Sequence, residues 1–210
     1  MKKNFLCTPI RCLAFSLAFP FLSAAQSAFG VQGGINLSDA TISGPTPYVA
    51  SSQGNYFLGL QARNLLHQRW GISSDAQWTK RGFFLNQARS MSEHRLGFQL
   101  MYIDLASKIE YTVFRNIGLQ GGAYAGYRLV EYDQVVGSDQ WVKAALPATE
   151  KWDIGLQAGI VARFQRWSAF ARYSHGLLAV SQLEVTDEVD RIKIFNRGLQ
   201  IGASYSFFIW

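Results

Sequence analysis

Strict alternation in residues 196–210, NRGLQIGASYSFFIW, constrains this chain more than any other feature. One parity is apolar and the other is small or polar; the apolar parity comprises Leu199, Ile201, Ala203, Tyr205 and Phe207. A period of two places these sets on opposite faces of a β-strand. A strand that is apolar on one face, polar on the other and aromatic at its C-terminal end is typical of a barrel that spans a membrane.

The N-terminal segment has to be separated from the fold. Three basic residues, Lys2, Lys3 and Arg11, precede an apolar run at 13–22, and the small-residue stretch SAAQS follows it. The run is about half of the roughly 20 residues that a helix needs to cross a bilayer. This pattern predicts a cleaved secretory signal peptide rather than a retained anchor.

The predicted division is a signal peptide at 1–27 and a barrel domain at 28–210. Cleavage after Ala25 and cleavage after Ser27 both satisfy the small-residue rule, and the choice stays open. Both cysteines, Cys7 and Cys12, fall within the signal peptide and lack a lipoprotein cleavage pattern. The mature domain should therefore have no disulfide, no cysteine metal site and no lipid anchor.

Charge argues against nucleic acid as a partner. Removing the signal peptide removes three of the 20 basic residues and none of the 14 acidic ones, which leaves 17 − 14 = +3 instead of +6. The remaining basic residues are spread singly along the predicted strands, without a basic cluster.

Eight segments show the same alternation, although 49% of the chain is hydrophobic and no apolar run of 18 residues follows the signal peptide. They lie at 29–38, 55–64, 70–81, 98–111, 117–130, 152–164, 167–177 and 196–210. Bacterial single-chain barrels have an even number of strands. The sequence therefore predicts an all-β protein with an eight-stranded antiparallel up-and-down transmembrane β-barrel.

The segments are joined alternately by long and short connections. The long ones are residues 40–54, 82–97, 131–151 and 178–195, and the short ones are 65–69, 112–116 and 165–166. Outer-membrane barrels have short periplasmic turns and longer outer loops, so both termini should be periplasmic.

Aromatic residues concentrate near the predicted strand ends. Those near the short turns are Trp70, Tyr111, Phe114, Phe164, Trp167 and Phe207, and those near the long loops are Trp78, Tyr127 and Trp152. They fit two interfacial girdles. The alternative is that aromatic residues are simply favoured in strands.

The fourth segment contains a conflict of parity. Leu96, Phe98 and Leu100 share the parity that Asp104 and Lys108 hold further along the strand. Either a β-bulge near Met101 switches the faces, or residues 96–100 project above the membrane.

Three stretches resemble the PorT-like outer-membrane barrel family that is common in Bacteroidetes. They are GVQGGINLS at 30–38, YIDLASKIEY at 102–111 and ARYSHGL at 171–177. The chain departs from the family at Ala106, where proline is usual, and in its last three residues, which follow the usual Tyr-x-Phe ending. The resemblance implies an outer-membrane barrel and little about activity.

Ten charged residues have inward parity. They are Arg63, Asp75, Arg81, Asp104, Lys108, Glu110, Arg128, Asp153, Arg163 and Arg172. Eight strands leave a lumen only wide enough for side chains, and buried charges must pair. We expect a self-paired polar plug, with a narrow ion path as the alternative.

Catalysis would require a serine, a histidine and an acid. The candidate histidine is His175 beside Ser174, whereas His67 and His94 fall in a turn and a loop. Adjacent strand residues point to opposite faces, so Ser174 and His175 cannot act on each other. We predict no catalytic, cofactor or metal residues.

Specificity is expected in the outer loops. Residues 131–151, with Trp141 and Val135–Val136, suit a partner-binding loop or a loop that packs on its neighbours or on lipopolysaccharide. The acidic stretch 184–190 fits no defined calcium loop.

The predicted protein is a monomer in outer-membrane lipid and lipopolysaccharide. Its closing strand would be read by the barrel assembly machinery, through Phe207 or through Trp210, and an extracellular or periplasmic protein partner is possible. A narrow pore, an outer-membrane lipid hydrolase and a soluble lipocalin-like ligand-binding barrel remain as alternatives.

Overall fold

A computed structural model describes residues 27–44, 48–87, 95–134, 140–144, 150–184 and 191–209. These residues form ten β-strands: β1 (Ser27–Ser43), β2 (Tyr48–Leu65), β3 (Trp70–Gln87), β4 (Arg95–Phe114), β5 (Ile117–Gln134), β6 (Trp141–Lys143), β7 (Trp152–Phe164), β8 (Trp167–Gly176), β9 (Ser181–Glu184) and β10 (Arg191–Ile209). In the described part of the chain, no helix is long and apolar enough to cross a membrane.

Eight strands form a closed ring in the order β1-β2-β3-β4-β5-β7-β8-β10. The ring closes because β10 pairs with β1 over most of the length of both strands. Every pairing is antiparallel, and the two short strands β6 and β9 pair only with β5 and β10 as hairpin extensions. The eight-stranded up-and-down barrel is therefore confirmed.

The two faces of the wall follow the sequence alternation. On β10, Leu199 and Ile201 are exposed on the outside, while Gln200 and Ser204 are buried inside. Glycines on the inner face allow close contact between neighbouring strands, as at Gly122 beside Lys108. This arrangement is the reverse of a soluble barrel and matches a wall with lipid outside and a packed polar lumen inside.

The strands extend further than the sequence predicted. β1 to β5 and β10 each contain 17 to 20 residues, whereas about 9–11 residues span a bilayer. The four predicted long loops are wrong in their bounds, because strands continue into all four. The wall thus rises beyond the membrane at the end that carries the long connections.

A bulge does lie beside Met101, but it leaves the alternation of β4 intact. Met101 pairs with Val130 and Tyr102 pairs with Arg128, so the extra residue is Leu129 of β5. Leu100 and Asp104 share the inner face of β4, and both are fully buried. The predicted switch of faces in β4 is wrong, and the projection of this strand above the membrane accounts for its apolar residues.

The closing strand continues beyond Phe207. A register shift opposite Phe29 and Gly30 leaves Phe207 as the extra residue, and Phe208 and Ile209 then pair with Phe29 and Ala28. Phe207 is exposed on the outer face and its ring lies 5.5 Å from that of Tyr205. Phe208 and Ile209 are therefore part of the closing strand, and Trp210 lies outside the described residues.

Outward-facing aromatic side chains meet in pairs at both ends of the membrane-spanning wall. Near the short turns, Trp70 packs on Tyr111 at 4.7 Å and Trp167 on Tyr205 at 4.9 Å between ring centroids. Near the long connections, Tyr127 packs on Trp152 at 5.0 Å. Cross-strand contacts at two levels support interfacial girdles rather than strand propensity alone.

Candidate functional site

The lumen gathers all ten charged residues that the sequence assigns to the inner face. Every one of them forms an ion pair with another inward-facing residue. The pairs fall into three clusters along the barrel axis and one separate pair. Counted from the short turns, they are a lower, a central and an upper ion cluster.

The central ion cluster consists of Asp75, Lys108 and Arg172. Asp75 on β3 accepts hydrogen bonds from the Lys108 ammonium and, at 2.9 Å, from the Arg172 guanidinium. Arg172 lies on β8, four strands from β3 in either direction around the ring. Its side chain also donates to Gln120 at 3.0 Å and covers the ring of Phe170. Arg172 therefore bridges opposite walls of the lumen.

The upper ion cluster places one cation between two carboxylates. Arg81 donates to Asp104 at 2.6 Å and also to Asp153. The Arg81 guanidinium also contacts the rings of Tyr102 and Tyr124, whose centroids lie 4.9 and 5.0 Å from its central carbon. Planar guanidinium groups suit such simultaneous ion pairing and aromatic contact.

The lower ion cluster, closest to the short turns, has the opposite composition. Glu110 accepts hydrogen bonds from Arg63, at 2.7 Å, and from Arg163. Glu110 is buried, whereas the two arginine side chains are partly exposed at the mouth. The clusters thus carry formal charges of about +1, +1 and −1 from the short turns upward, from counting one unit per ionised group.

The separate pair was missed by sequence reasoning. Arg128 donates to Glu131 at 2.5 Å, and both side chains are buried inside the barrel. Residues three apart on a regular strand point to opposite faces. The bulge at Leu129 brings Arg128 and Glu131 to the same face. Because it also interrupts the alternation, the predicted strand ended at residue 130 and Glu131 fell in the predicted loop.

An apolar cap closes the upper end of the lumen, which sequence reasoning also missed. It comprises Ala40, Phe83, Leu85, Leu100, Tyr102, Val180 and Ile194. Phe98 packs on this cap, with its ring 5.3 Å from that of Phe83. The cap residues come from five separate segments of the chain. The sequence signal that could have predicted the cap is the run of apolar residues at inward positions of β3 and β4.

Ring contacts cross the lumen, as the ion pairs do. Phe57 on β2 and Phe170 on β8 meet across the lumen with centroids 6.0 Å apart. Asn196 on β10 donates to Asp153 at 2.9 Å beside the upper ion cluster. Buried ion pairs and hydrogen bonds that link opposite walls in this way rigidify a structure. The lumen is a packed core with charged layers and an apolar lid.

The two histidines that the structure describes, His67 and His175, are not part of this arrangement. Ser174 is inside the barrel and donates to the Gly198 carbonyl at 3.3 Å, whereas His175 is exposed on the outer face. His175 borders a shallow external groove of about 490 Å³ together with Leu156 and Tyr173. His67 is exposed in a turn, and His94 lies outside the described residues. Among the described residues, no group of three potential metal ligands occurs.

The predicted partner-binding loop is partly a hairpin. Trp141 on β6 lies on the outer face of the wall, where its ring centroid is 6.2 Å from that of Phe84. Gly97 lies beneath this pair, and a Cβ atom at that position would be 2.8 Å from the Trp141 ring. Val135–Val136 and residues 185–190 of the acidic stretch lie outside the described residues.

Three solved structures align with most of this chain at low sequence identity. Neisserial surface protein A (NspA) aligns with a TM-score of 0.51 at 13% identity, over 86% of this chain and 99% of that chain. Ail of Yersinia pestis aligns with a TM-score of 0.46 at 16% identity, over 87% and 99%. OprG from Pseudomonas aeruginosa aligns with a TM-score of 0.46 at 13% identity, over 87% and 96%. The similarity to NspA concerns the fold alone.

No curated protein matches the chain. A family model described as an outer membrane protein beta-barrel domain matches residues 23–182, which is more than half of the chain. The membership agrees with the closed ring, the apolar outer face and the paired aromatic girdles described above. The chain therefore belongs to the outer membrane protein beta-barrel domain family and is located in the outer membrane.

Proposed function

We propose that the protein is a monomeric, non-enzymatic outer-membrane β-barrel with a structural or loop-mediated interaction role. The observation that carries this proposal is the closed lumen. Arg172 crosses it to Asp75, and the apolar cap covers the upper ion cluster. A filled interior gives the barrel rigidity and leaves recognition to its outer surfaces.

A narrow ion pore is the alternative that the lumen argues against. Six inward cations are paired with five inward anions in the described residues, and an ion would have to displace these contacts. It would also have to cross the apolar cap, where dehydration is unfavourable.

Planar bilayers test the closed lumen directly. We expect the refolded protein to insert without steady single-channel openings, because both the ion clusters and the apolar cap block the path. Heat-modifiable gel mobility of the same sample would show that the barrel is folded. Reproducible conductance steps from folded protein would refute the proposal and favour the pore.

The positions of the residues argue against the other two alternatives. A lipid hydrolase would need a nucleophile and a base within hydrogen-bond reach, yet Ser174 and His175 point to opposite faces. A soluble ligand-binding barrel is inconsistent with the outer-membrane location and with a lumen filled by ion pairs. No cofactor is required by the proposed role.

Recognition is best placed on the wall above the membrane. Phe84 and Trp141 form an outward aromatic pair there, and such residues are enriched at protein interfaces. An extracellular protein partner would use this surface, while outer-membrane lipid and lipopolysaccharide surround the wall below it.

The closing strand, with its exposed Phe207, would present the signal to the barrel assembly machinery. The more specific resemblance to the PorT-like family stays a prediction.

The signal peptide is proposed to end at Ala25. Ser27 pairs with Asn64 in the barrel wall, and its hydroxyl donates to the Asn64 amide oxygen at 2.7 Å. Cleavage after Ser27 would remove this contact. We expect the intact mass of protein purified from outer membranes to correspond to a chain that begins at Gln26; a chain that begins at Ala28 would contradict this.

A further inference from the structure

Three periplasmic turns each present an arginine beside an exposed aromatic residue. The pairs are Arg69–Trp70 between β2 and β3, Phe114–Arg115 between β4 and β5, and Arg166–Trp167 between β7 and β8. We propose that these three pairs form a binding surface for anionic phospholipid headgroups of the periplasmic leaflet. We call this surface the arginine rim.

The exposed aromatic residues indicate that the arginine rim lies at the level of the lipid headgroups. Trp70, Phe114 and Trp167 are 48%, 66% and 58% exposed on the outer face. Aromatic side chains in such positions lie at the level of lipid headgroups. The arginine next to each one is therefore at the headgroup phosphates, where its planar donors match phosphate oxygens.

Backbone hydrogen bonds fix the turns that carry the arginines. The Arg69 carbonyl accepts from the Thr112 amide at 2.8 Å, and the Arg166 carbonyl accepts from the Ser206 amide at 2.8 Å. The Asn116 carbonyl, next to Arg115, accepts from the Arg163 amide at 2.8 Å. The backbone of each turn is therefore held against a neighbouring strand.

The charge balance of this end favours an anionic ligand. Among the described residues, Glu110 is the one acidic side chain at this end, and it is buried between Arg63 and Arg163. Arg69, Arg115 and Arg166 are exposed and form no ion pair with another described residue. The other described acids lie deeper in the lumen or at the opposite end of the wall.

One rim arginine lies at a position where the backbone conformation is unfavourable for a residue with a side chain. Arg115 has a φ of 31°, in the left-handed region that favours glycine. Gln165, next to Arg166, has a φ of 54°. A two-residue turn would form more easily with glycine at these positions. The side chain at Arg115 therefore has a use that the turn itself does not require.

The test compares lipid selectivity of two triple variants. Protein would be refolded into phosphatidylcholine vesicles that contain spin-labelled phosphatidylglycerol or spin-labelled phosphatidylcholine. For the native chain we expect the motionally restricted fraction to show an approximately two- to fivefold preference for phosphatidylglycerol, reduced at high salt. The R69Q/R115Q/R166Q variant should lose this preference and approach a ratio of about one.

A matched variant removes three exposed cations at the other end of the barrel. Lys143, Lys151 and Lys193 are exposed there, and K143Q/K151Q/K193Q removes the same total charge. This control should keep the native preference. Heat-modifiable mobility would confirm that both variants are folded. Retention of the preference in the rim variant, or an equal loss in the control, would overturn the proposal.

Discussion

Replacing Asp75 with asparagine is expected to lower the free energy of unfolding by about 3–5 kcal/mol, the usual cost of breaking a buried ion pair. Asp75 is fully buried and serves as the counterion of both Lys108 and Arg172. Asparagine has nearly the same shape but no charge. Two cations would then face each other in the central ion cluster without a carboxylate between them.

Urea unfolding of the barrel in lipid vesicles, followed by gel mobility and tryptophan fluorescence, measures this change. The matched control is Asp39→Asn, because Asp39 pairs with Arg197 at 2.7 Å on the surface, where the arginine side chain is 44% exposed. Exposed pairs contribute about 0–1 kcal/mol. Equal shifts of the two midpoints would contradict a stabilising role of the lumen network.

A second variant tests whether the unpaired Lys108 ammonium causes the loss of stability in Asp75→Asn. In the double variant Asp75→Asn/Lys108→Met, the central ion cluster retains one cation instead of two unpaired ones. We expect this variant to recover part of the lost stability, because like-charge repulsion and an unsatisfied ammonium are both removed. A double variant less stable than Asp75→Asn would show that Lys108 stabilises the barrel in another way.

The sequence was sufficient for the ring and for which residues face the lumen, because period two determines the face of every strand residue once one face contacts lipid. The ten inward charges follow from that rule alone. Their partners do not, since Arg172 meets Asp75 across 97 positions of the chain. The alternation shows that two side chains point into the lumen, but it does not show whether they lie at the same level along the barrel axis.

The rule fails where strands are irregular or leave the membrane. Glu131 was placed in a loop because the bulge at Leu129 shifts the parity of β5. The apolar cap was missed because the lumen was expected to be polar throughout, whereas the wall above the membrane encloses a small hydrophobic core that includes Leu100 and Phe83. The predicted strands also stop short at the end of the barrel that carries the long connections. Above the bilayer, lipid no longer imposes the alternation from which the strands were predicted.

Replacing Gly122 with valine is expected to prevent stable barrel formation or to reduce the free energy of unfolding by about 3 kcal/mol, the upper part of the range for overpacking. Gly122 faces the lumen on β5 and pairs with Lys108. A Cβ atom there would overlap the Ser107 carbonyl oxygen and lie 2.6 Å from the Lys108 Cα atom. Backbone atoms cannot move aside as a flexible side chain can, so the β4–β5 pairing would have to open beside the central ion cluster.

The adjacent residue provides the control, because Gly121 lies on the other face of the same strand and has open space where its Cβ atom would be. Gly121→Val adds the same side chain to the lipid-facing side, where an apolar residue is favourable. We expect Gly121→Val to fold with native heat-modifiable mobility while Gly122→Val shows a reduced folded fraction and a lower urea midpoint. If the two variants were equally stable, the close contact of β4 with β5 would not limit what the lumen can hold. If both failed, the loss would reflect valine at this level of β5 and not the direction in which it points.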